Sequence, residues 1–232
     1  MRLEINSEKK IDPNFLETIN ILNNNKIQYW LCHGTLLGII RDNELIPWDH
    51  DIDIAVWDSN NLKGKLKKIM TENDYKLKEK YLIEDDLLTF LKDGGREVDI
   101  NFYQVKKKNF KEIAFINWFV PKNNICKLVD ALSSAESYEG NLKFIIKNFK
   151  YFEFFFKKLK NFLIQKNYFY KNIGYTQPLD LLKKFEKLNF KNIEVVVPLK
   201  YKEYLNYIYG NNWRIPKKNY NWIKDSPSTE DI

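Results

Sequence analysis

The chain has 232 residues, 44% hydrophobic and 30% charged, which suits one domain, or one domain with an appendage, and a core of useful size. A formal net charge of +7 fits nucleic acid, an anionic membrane surface or a phosphate-rich substrate without choosing among them. The two cysteines, Cys32 and Cys126, sit in no CxxC or Cys/His pattern, so neither a disulfide framework nor a zinc site is expected.

The first ten residues are charged and carry no apolar h-region, so they do not read as a signal peptide. No uncharged apolar run reaches the ~18 residues a membrane-spanning helix needs. The expected location is therefore cytoplasmic, with peripheral contact on the inner face of the membrane as a variant of it. Residues 12–26 read as a helix opened by Asp12-Pro13, with Phe15, Ile19 and Leu22 near helical spacing. Residues 27–32 read as a strand, followed by a tight turn at His33-Gly34-Thr35 into a short helix ending at Arg41. Alternation over 51–57 predicts a second strand, and 60–73 a lysine-rich surface helix. Strands are expected at 81–91, 97–104 and 110–120, with a turn at Asp93-Gly94-Gly95. Further on, 141–171 reads as a basic, aromatic helical stretch, 178–188 as a short helix, 189–197 as a strand ending at Pro198, and 199–209 as a helix stopped by Gly210. The polar tail after Pro216 is expected to be irregular.

Chemistry concentrates in His33-Gly34-Thr35-Leu36-Leu37-Gly38-Ile39-Ile40-Arg41 and Ile46-Pro47-Trp48-Asp49-His50-Asp51-Ile52-Asp53-Ile54. Residues two apart on a strand share a face, so Asp51 and Asp53 stand side by side while Ile52 and Ile54 point into the core. Two ionised carboxylates repel, and a divalent cation removes that repulsion. Asp49 belongs to the preceding loop and assists from behind the ligands. Asp99, in the alternating Glu97-Val98-Asp99-Ile100, reaches the same centre if its strand neighbours 51–57, as a third ligand or as the base. Gly34 and Thr35 open a helix whose N–H groups and dipole suit a donor phosphate, and the planar fork of Arg41 suits a phosphate oxygen. His33, His50, Trp48 and Cys32 read as neighbours of the motif: a hydrogen-bonded turn residue, an outward-pointing side chain, packing, and a small buried residue.

Gly-Thr at a strand-to-helix turn, a downstream Asp-x-Asp and a third acid on another strand resemble the DNA polymerase beta-like nucleotidyltransferase superfamily. The fuller strings resemble the LicD/fukutin-type family more narrowly. So does the C-terminal pattern Phe190-Lys191-Asn192-Ile193-Glu194-Val195-Val196-Val197-Pro198, Tyr204-Leu205 and Tyr209-Gly210-Asn211-Asn212-Trp213-Arg214-Ile215-Pro216. The resemblance covers roughly 28–58, 96–103 and 178–216; the longer Gly34-to-Asp51 spacing fits the narrower family and weakens the analogy with polymerases. It implies an α/β (α+β) fold: a mixed nucleotidyltransferase-type sheet flanked by helices, with a mostly helical, aromatic-rich C-terminal elaboration. Residues 1–140 are expected to form the catalytic core and 141–232 the elaboration packed on it. The implied reaction moves a phospho-alcohol, such as phosphocholine or ribitol phosphate, from a CDP-linked donor to a hydroxyl of a surface glycan, with Mg²⁺ or Mn²⁺ as cofactor and CMP leaving. The acceptor is a glycan such as lipopolysaccharide or teichoic acid, or a lipid-linked glycan.

Two other readings stand beside this one. The same metal site serves a nucleotidyltransferase that releases pyrophosphate from an NTP. The basic charge alone admits a nucleic-acid-binding module, but the best motif is acidic and no recognition motif is present, so no nucleic acid is expected as partner. Residues 144–170 hold eleven aromatics, six lysines and one acid, Glu153. Such a stretch either packs one face on the core with its lysines solvated or lies in a membrane interface.

Overall fold

The structure, a computed structural model, describes residues 11–78, 86–135, 138, 140–166 and 170–231. Helix α1 (Pro13–Asn24) begins where expected: the Asp12 carboxylate accepts the N–H groups of Asn14 and Phe15, and Pro13 occupies the first turn, where a missing N–H costs nothing. Strand β1 (Trp30–Leu31) is shorter than the six residues expected; it starts three residues late, and after Cys32 His33, in a left-handed backbone conformation (φ 42°), turns the chain into α2 (His33–Asp42). Asn43 ends α2 in the left-handed region, its N–H returning to the Ile39 carbonyl. Helix α3 (Leu62–Glu72), between β2 (Asp51–Trp57) and β3 (Lys76–Leu77), buries Leu66, Ile69 and Met70 and leaves its lysines on the other side.

Strands β4 (Leu87–Leu91), β5 (Glu97–Lys108) and β6 (Lys111–Pro121) follow. Residues 81–85 of the strand expected at 81–91 lie outside the described residues. The long β5 organises the sheet. Its first half runs parallel to β2 and antiparallel to β4; its second half leaves both and pairs antiparallel with β6. Beyond α4 (Asn124–Leu132), α5 (Lys143–Lys147) and α6 (Glu153–Gln165) comes β7 (Tyr170–Pro178), which pairs with β6 from Ile113↔Pro178 to Pro121↔Tyr170. The fold is thus a mixed sheet, ordered β1-β2-β5-β6-β7 and then β10 (Thr229–Asp231), with β4 attached at β5 and β3 at β4, flanked by helices.

Four local expectations change. Helix α4 and strand β7 were not foreseen: α4 is short, and β7 mixes Lys171, Asn172, Thr176 and Gln177 among its apolar residues. Most of 178–188 is not helix but a 3-10 turn (Leu179–Leu182) running into β8 (Phe185–Phe190). Lys191 and Asn192, both at positive φ, turn β8 back into β9 (Ile193–Pro198), the backbone a two-residue hairpin requires. The tail after Pro216 is not wholly irregular, since α8 (Trp222–Asp225) and β10 (Thr229–Asp231) follow α7 (Tyr201–Tyr209), and β10 caps the edge of β7. A three-residue strand borrows its order from its neighbour rather than from its own pattern. The 141–232 stretch therefore mixes helix with strand.

One hydrophobic cluster runs from Phe15 to Trp213 and joins α1, α2, β2, β5, the β8–β9 hairpin and α7. At its centre Trp30 lies between Trp57, Tyr103 and Phe185 at ring separations of 5.0, 5.4 and 5.0 Å. Truncating it leaves a cavity in a wall built from three strands. Trp30→Ala is expected to cost about 3–5 kcal/mol of unfolding free energy in a urea titration; a change under about 1 kcal/mol would mean that this cluster is not the centre of the core.

Candidate active site

The parallel register of β2 and β5 sets Asp51 opposite Glu97 and Asp53 opposite Asp99. All four carboxylates therefore face one side of the sheet, while Ile52, Ile54, Val98 and Ile100 are fully buried on the other. On β4, Thr89 pairs with Asp99 in register and its hydroxyl donates to Asp99 Oδ1. Glu97 is held by Lys78 Nζ at 2.6 Å. That leaves Asp51 and Asp53, and the loop after α2 adds Asp49: one carboxylate oxygen from each of the three lies within 4.8 Å of the others. Asp49, expected behind the ligands, thus stands among the clustered carboxylates. Asp99 lies beside Asp53 but outside that trio.

Helix α2 delivers its N-terminus to the same place. The Gly34 N–H donates to Asp53 Oδ2 at 3.0 Å, and the Asp53 N–H donates to the Thr35 hydroxyl oxygen at 2.8 Å, clamping helix start to strand. A Cβ on Gly34 would lie 2.2 Å from Asp49 Oδ2 and 3.3 Å from Asp53 Oδ2, so only glycine leaves room for the carboxylates. One turn on, a Cβ on Gly38 would meet the Glu44 carbonyl at 2.6 Å; its absence lets the 43–50 loop fold back and present Asp49.

The electrostatics follow from crowding. Burial first, then the charge of Asp51, pushes Asp49 up to about 7, against a lowering pull from Arg96. Asp99 is likewise pushed up to about 7 by burial, with the Thr89 hydrogen bond pulling down and the Asp51 charge pushing up. Asp53 lies well above the usual carboxylate range, through burial and then Asp51, Asp49 and Asp99; the Gly34 N–H opposes this. Three clustered oxygens, mutual repulsion and a cradle that a single methyl would fill fit a divalent cation.

Beside the carboxylates opens a cleft of about 680 Å³. Gly34, Arg41, Trp48 and Asp49 line one wall; Tyr209, Trp213, Lys217 and Lys218 are among those lining the other. Thr35 lies buried beneath it. Arg41 forks onto Asp42, its Nη2 at 2.7 Å from the carboxylate, while facing the cleft. Lys217 pairs with Asp225 at 2.8 Å and Lys218 lies 5.4 Å from the Trp48 ring centre. The sequence reading missed Lys217, Lys218, Tyr220 and Asp225, although Lys217-Lys218 directly follows the Ile215-Pro216 of the C-terminal pattern. His33 is buried behind the site, stacked at 4.7 Å on Tyr175 with Nε2 3.2 Å from the Tyr103 hydroxyl, and burial lowers it to about 3, so it stays neutral.

Residues 26–141 match the nucleotidyltransferase domain of LicD/FKTN/FKRP. An uncharacterized protein of Rickettsia typhi is 27% identical over 100 residues, 43% of this chain and 30% of the relative. The ribitol 5-phosphate transferase FKRP of Homo sapiens is 38% identical over 39 residues, 17% of this chain and 8% of the relative. The chain thus spans under a third of the length of these relatives. Among solved structures, a lincomycin-bound lincosamide adenylyltransferase superposes at a TM-score of 0.42 with 12% identity, covering 83% of this chain and 82% of that one.

Two outcomes follow from the crowded carboxylates. Asp49 and Asp99 have folded values near 7 against an ordinary 3.8, so the folded state holds more protons than the unfolded between those limits. Without divalent cation, their contribution to stability is full below about pH 4 and is lost as pH rises to about 7. Melts in EDTA at pH 5 and pH 8, each repeated with Mg²⁺, are expected to show the larger cation-induced rise at pH 8. At a hundredfold excess over Kd that rise corresponds to about 2.7 kcal/mol, and equal melts with and without cation would remove the metal site. Separately, Gly34→Ala is expected to keep the far-UV spectrum but to lower turnover by on the order of a hundredfold, since the methyl displaces Asp49.

Proposed function

The chain belongs to the LicD/FKTN/FKRP nucleotidyltransferase family, and from that premise we propose that it transfers a phospho-alcohol group from a CDP-linked donor to a hydroxyl of a cell-surface glycan. The observation that carries the reading is the Asp49, Asp51 and Asp53 trio set beside a cleft whose walls carry Arg41, Lys217 and Lys218. A diphosphate needs both features: carboxylates to gather a divalent cation at the reacting phosphorus, and cations to meet the remaining phosphate charge. The similarity to ribitol 5-phosphate transferases supports a polyol phosphate as the group moved.

In this proposal Asp51 and Asp53 hold the cation, Mg²⁺ or Mn²⁺, with Asp49 as the third nearby ligand and Asp99 at the edge of the site. When bound, the cation neutralises phosphate charge and polarises the reacting phosphoryl group. In this proposal Gly34 leaves room at the start of α2 for donor phosphate to approach, and Arg41, lining the same cleft, meets a phosphate oxygen. Thr35 keeps that helix start against β2 through the Asp53 N–H. Asp99, held by the Thr89 hydroxyl beside Asp53, takes the proton of the attacking glycan hydroxyl as the hydroxyl oxygen bonds to phosphorus. The bond from phosphorus to CMP breaks, and CMP leaves with the electron pair. We assign the catalytic core to residues 1–140; in this proposal 141–232 adds the Lys217-Lys218 wall of the cleft.

The test is CMP release from CDP-choline, CDP-ethanolamine, CDP-glycerol and CDP-ribitol, with Mg²⁺ or EDTA. Metal-dependent release is expected from one donor, reduced by on the order of a hundredfold or more in Asp51→Asn/Asp53→Asn. Turnover of an NTP to pyrophosphate, with no CMP from any donor, would replace this reading with that of a nucleotidyltransferase.

A further inference from the structure

A second feature lies away from the cleft. Helices α5 and α6 are fastened to the molecule by two small apolar clusters separate from the main core: Ile164 with Cys126 and Tyr170, and Ile146 with Leu132 and Ala135. Outward, the same helices and the 3-10 turn between them, Lys150–Phe152, present large apolar side chains to solvent. Phe144 is 83% exposed, Tyr151 85%, Phe154 68%, Phe155 60% and Phe162 54%.

The inner face of α6 is mixed: Ile164 is buried and Leu163 and Phe156 pack on the two clusters, while Lys160 is buried against Asp130 at 2.5 Å and Glu153 is paired with Lys157 at 2.8 Å. The outward row, Phe154, Lys158 and Phe162 at steps of four, is aromatic and basic. So many large aromatic side chains left exposed on one short stretch mark a contact site.

The lysines decide between kinds of partner. Lys158 lies 4.5 Å from the Phe154 ring centre, Lys166 5.5 Å from that of Phe162, and Lys150 5.3 Å from that of Tyr151. An apolar protein groove that received the rings would strip water from these ammonium groups. A phospholipid surface accommodates both: rings enter the boundary between headgroups and acyl chains, and lysines of the same row reach the phosphates. With 13 residues, α6 spans about 20 Å, short of the ~30 Å hydrocarbon core, and no described helix is long and apolar enough to cross a membrane. We propose that the exposed face of α5 and α6 docks on an anionic phospholipid bilayer, with α6 lying along its surface. The inference is independent of the chemistry assigned to the cleft.

The experiment is co-sedimentation of the full chain with sucrose-loaded vesicles of phosphatidylcholine, with or without phosphatidylglycerol. Wild type is expected to sediment with the anionic vesicles, several-fold more than with the neutral ones, and to be released by high salt. Phe154→Ser/Phe155→Ser/Phe162→Ser removes only exposed rings, so its melting curve is expected to match wild type while sedimentation is lost. Lys150→Gln/Lys158→Gln/Lys166→Gln, a second and milder set, is expected to keep weak binding and lose the preference for anionic lipid. Wild type remaining in the supernatant with every vesicle overturns the proposal, as does binding that neither set alters. A concentration-dependent dimer in light scattering, abolished by the serine variant and accompanied by no vesicle binding, overturns it in favour of a second copy of this chain.

Discussion

The structure turns on repulsion between carboxylates that the sheet forces together. Because β2 and β5 run parallel and in register, Asp51 and Asp53 cannot be separated from Glu97 and Asp99 without shifting a strand, and a one-residue shift would send the buried isoleucines to the solvent side. The fold resolves part of the conflict locally. Lys78 neutralises Glu97, and Thr89 donates to Asp99. What remains, with Asp49 added from the loop, is concentrated negative charge partly withdrawn from water. This is the environment that a divalent cation relieves, and stability given up there is a common feature of functional sites.

The same economy of space governs the approach to the site. Two glycines on α2 do different work: Gly34 admits the carboxylates to the helix start, and Gly38 admits the returning loop that carries Asp49. Behind them an aromatic group, His33 on Tyr175 and Tyr175 beside Trp222, ties the helix start to β7 and to α8 near the C-terminus. The C-terminal stretch therefore does more than decorate the sheet. Through β7 and β10 it extends the sheet, and through Tyr209, Trp213, Lys217 and Lys218 it walls the cleft.

The two faces of the molecule have opposite chemistry. The cleft gathers acids with a few bases around them, whereas α5 and α6 spread rings and lysines over a surface held by two small clusters. The two sets of residues sit on separate elements, so substitutions in the outer helices leave the β2–β5 register untouched.

The sequence by itself determined α1, β2 to its ends, and the Asp51–Asp53 pair, because period-two alternation and an Asp-Pro helix start are local signals that need no partner strand. It singled out Gly34 for a donor phosphate, whereas the close approach of the Asp49 and Asp53 carboxylates to that glycine is visible only in the fold. Tertiary structure alone decided that Asp49 joins the carboxylates, since a loop residue is placed by what the loop packs on, here α2 at Gly38. Tertiary structure likewise decided β7, β8 and β10, whose order comes from hydrogen bonds to β6, β9 and β7 and not from their own pattern. Lys217 and Lys218 reached the cleft for the same reason: more than 160 residues separate them from Asp49 in the chain, and only the packing of the core brings those segments to one wall.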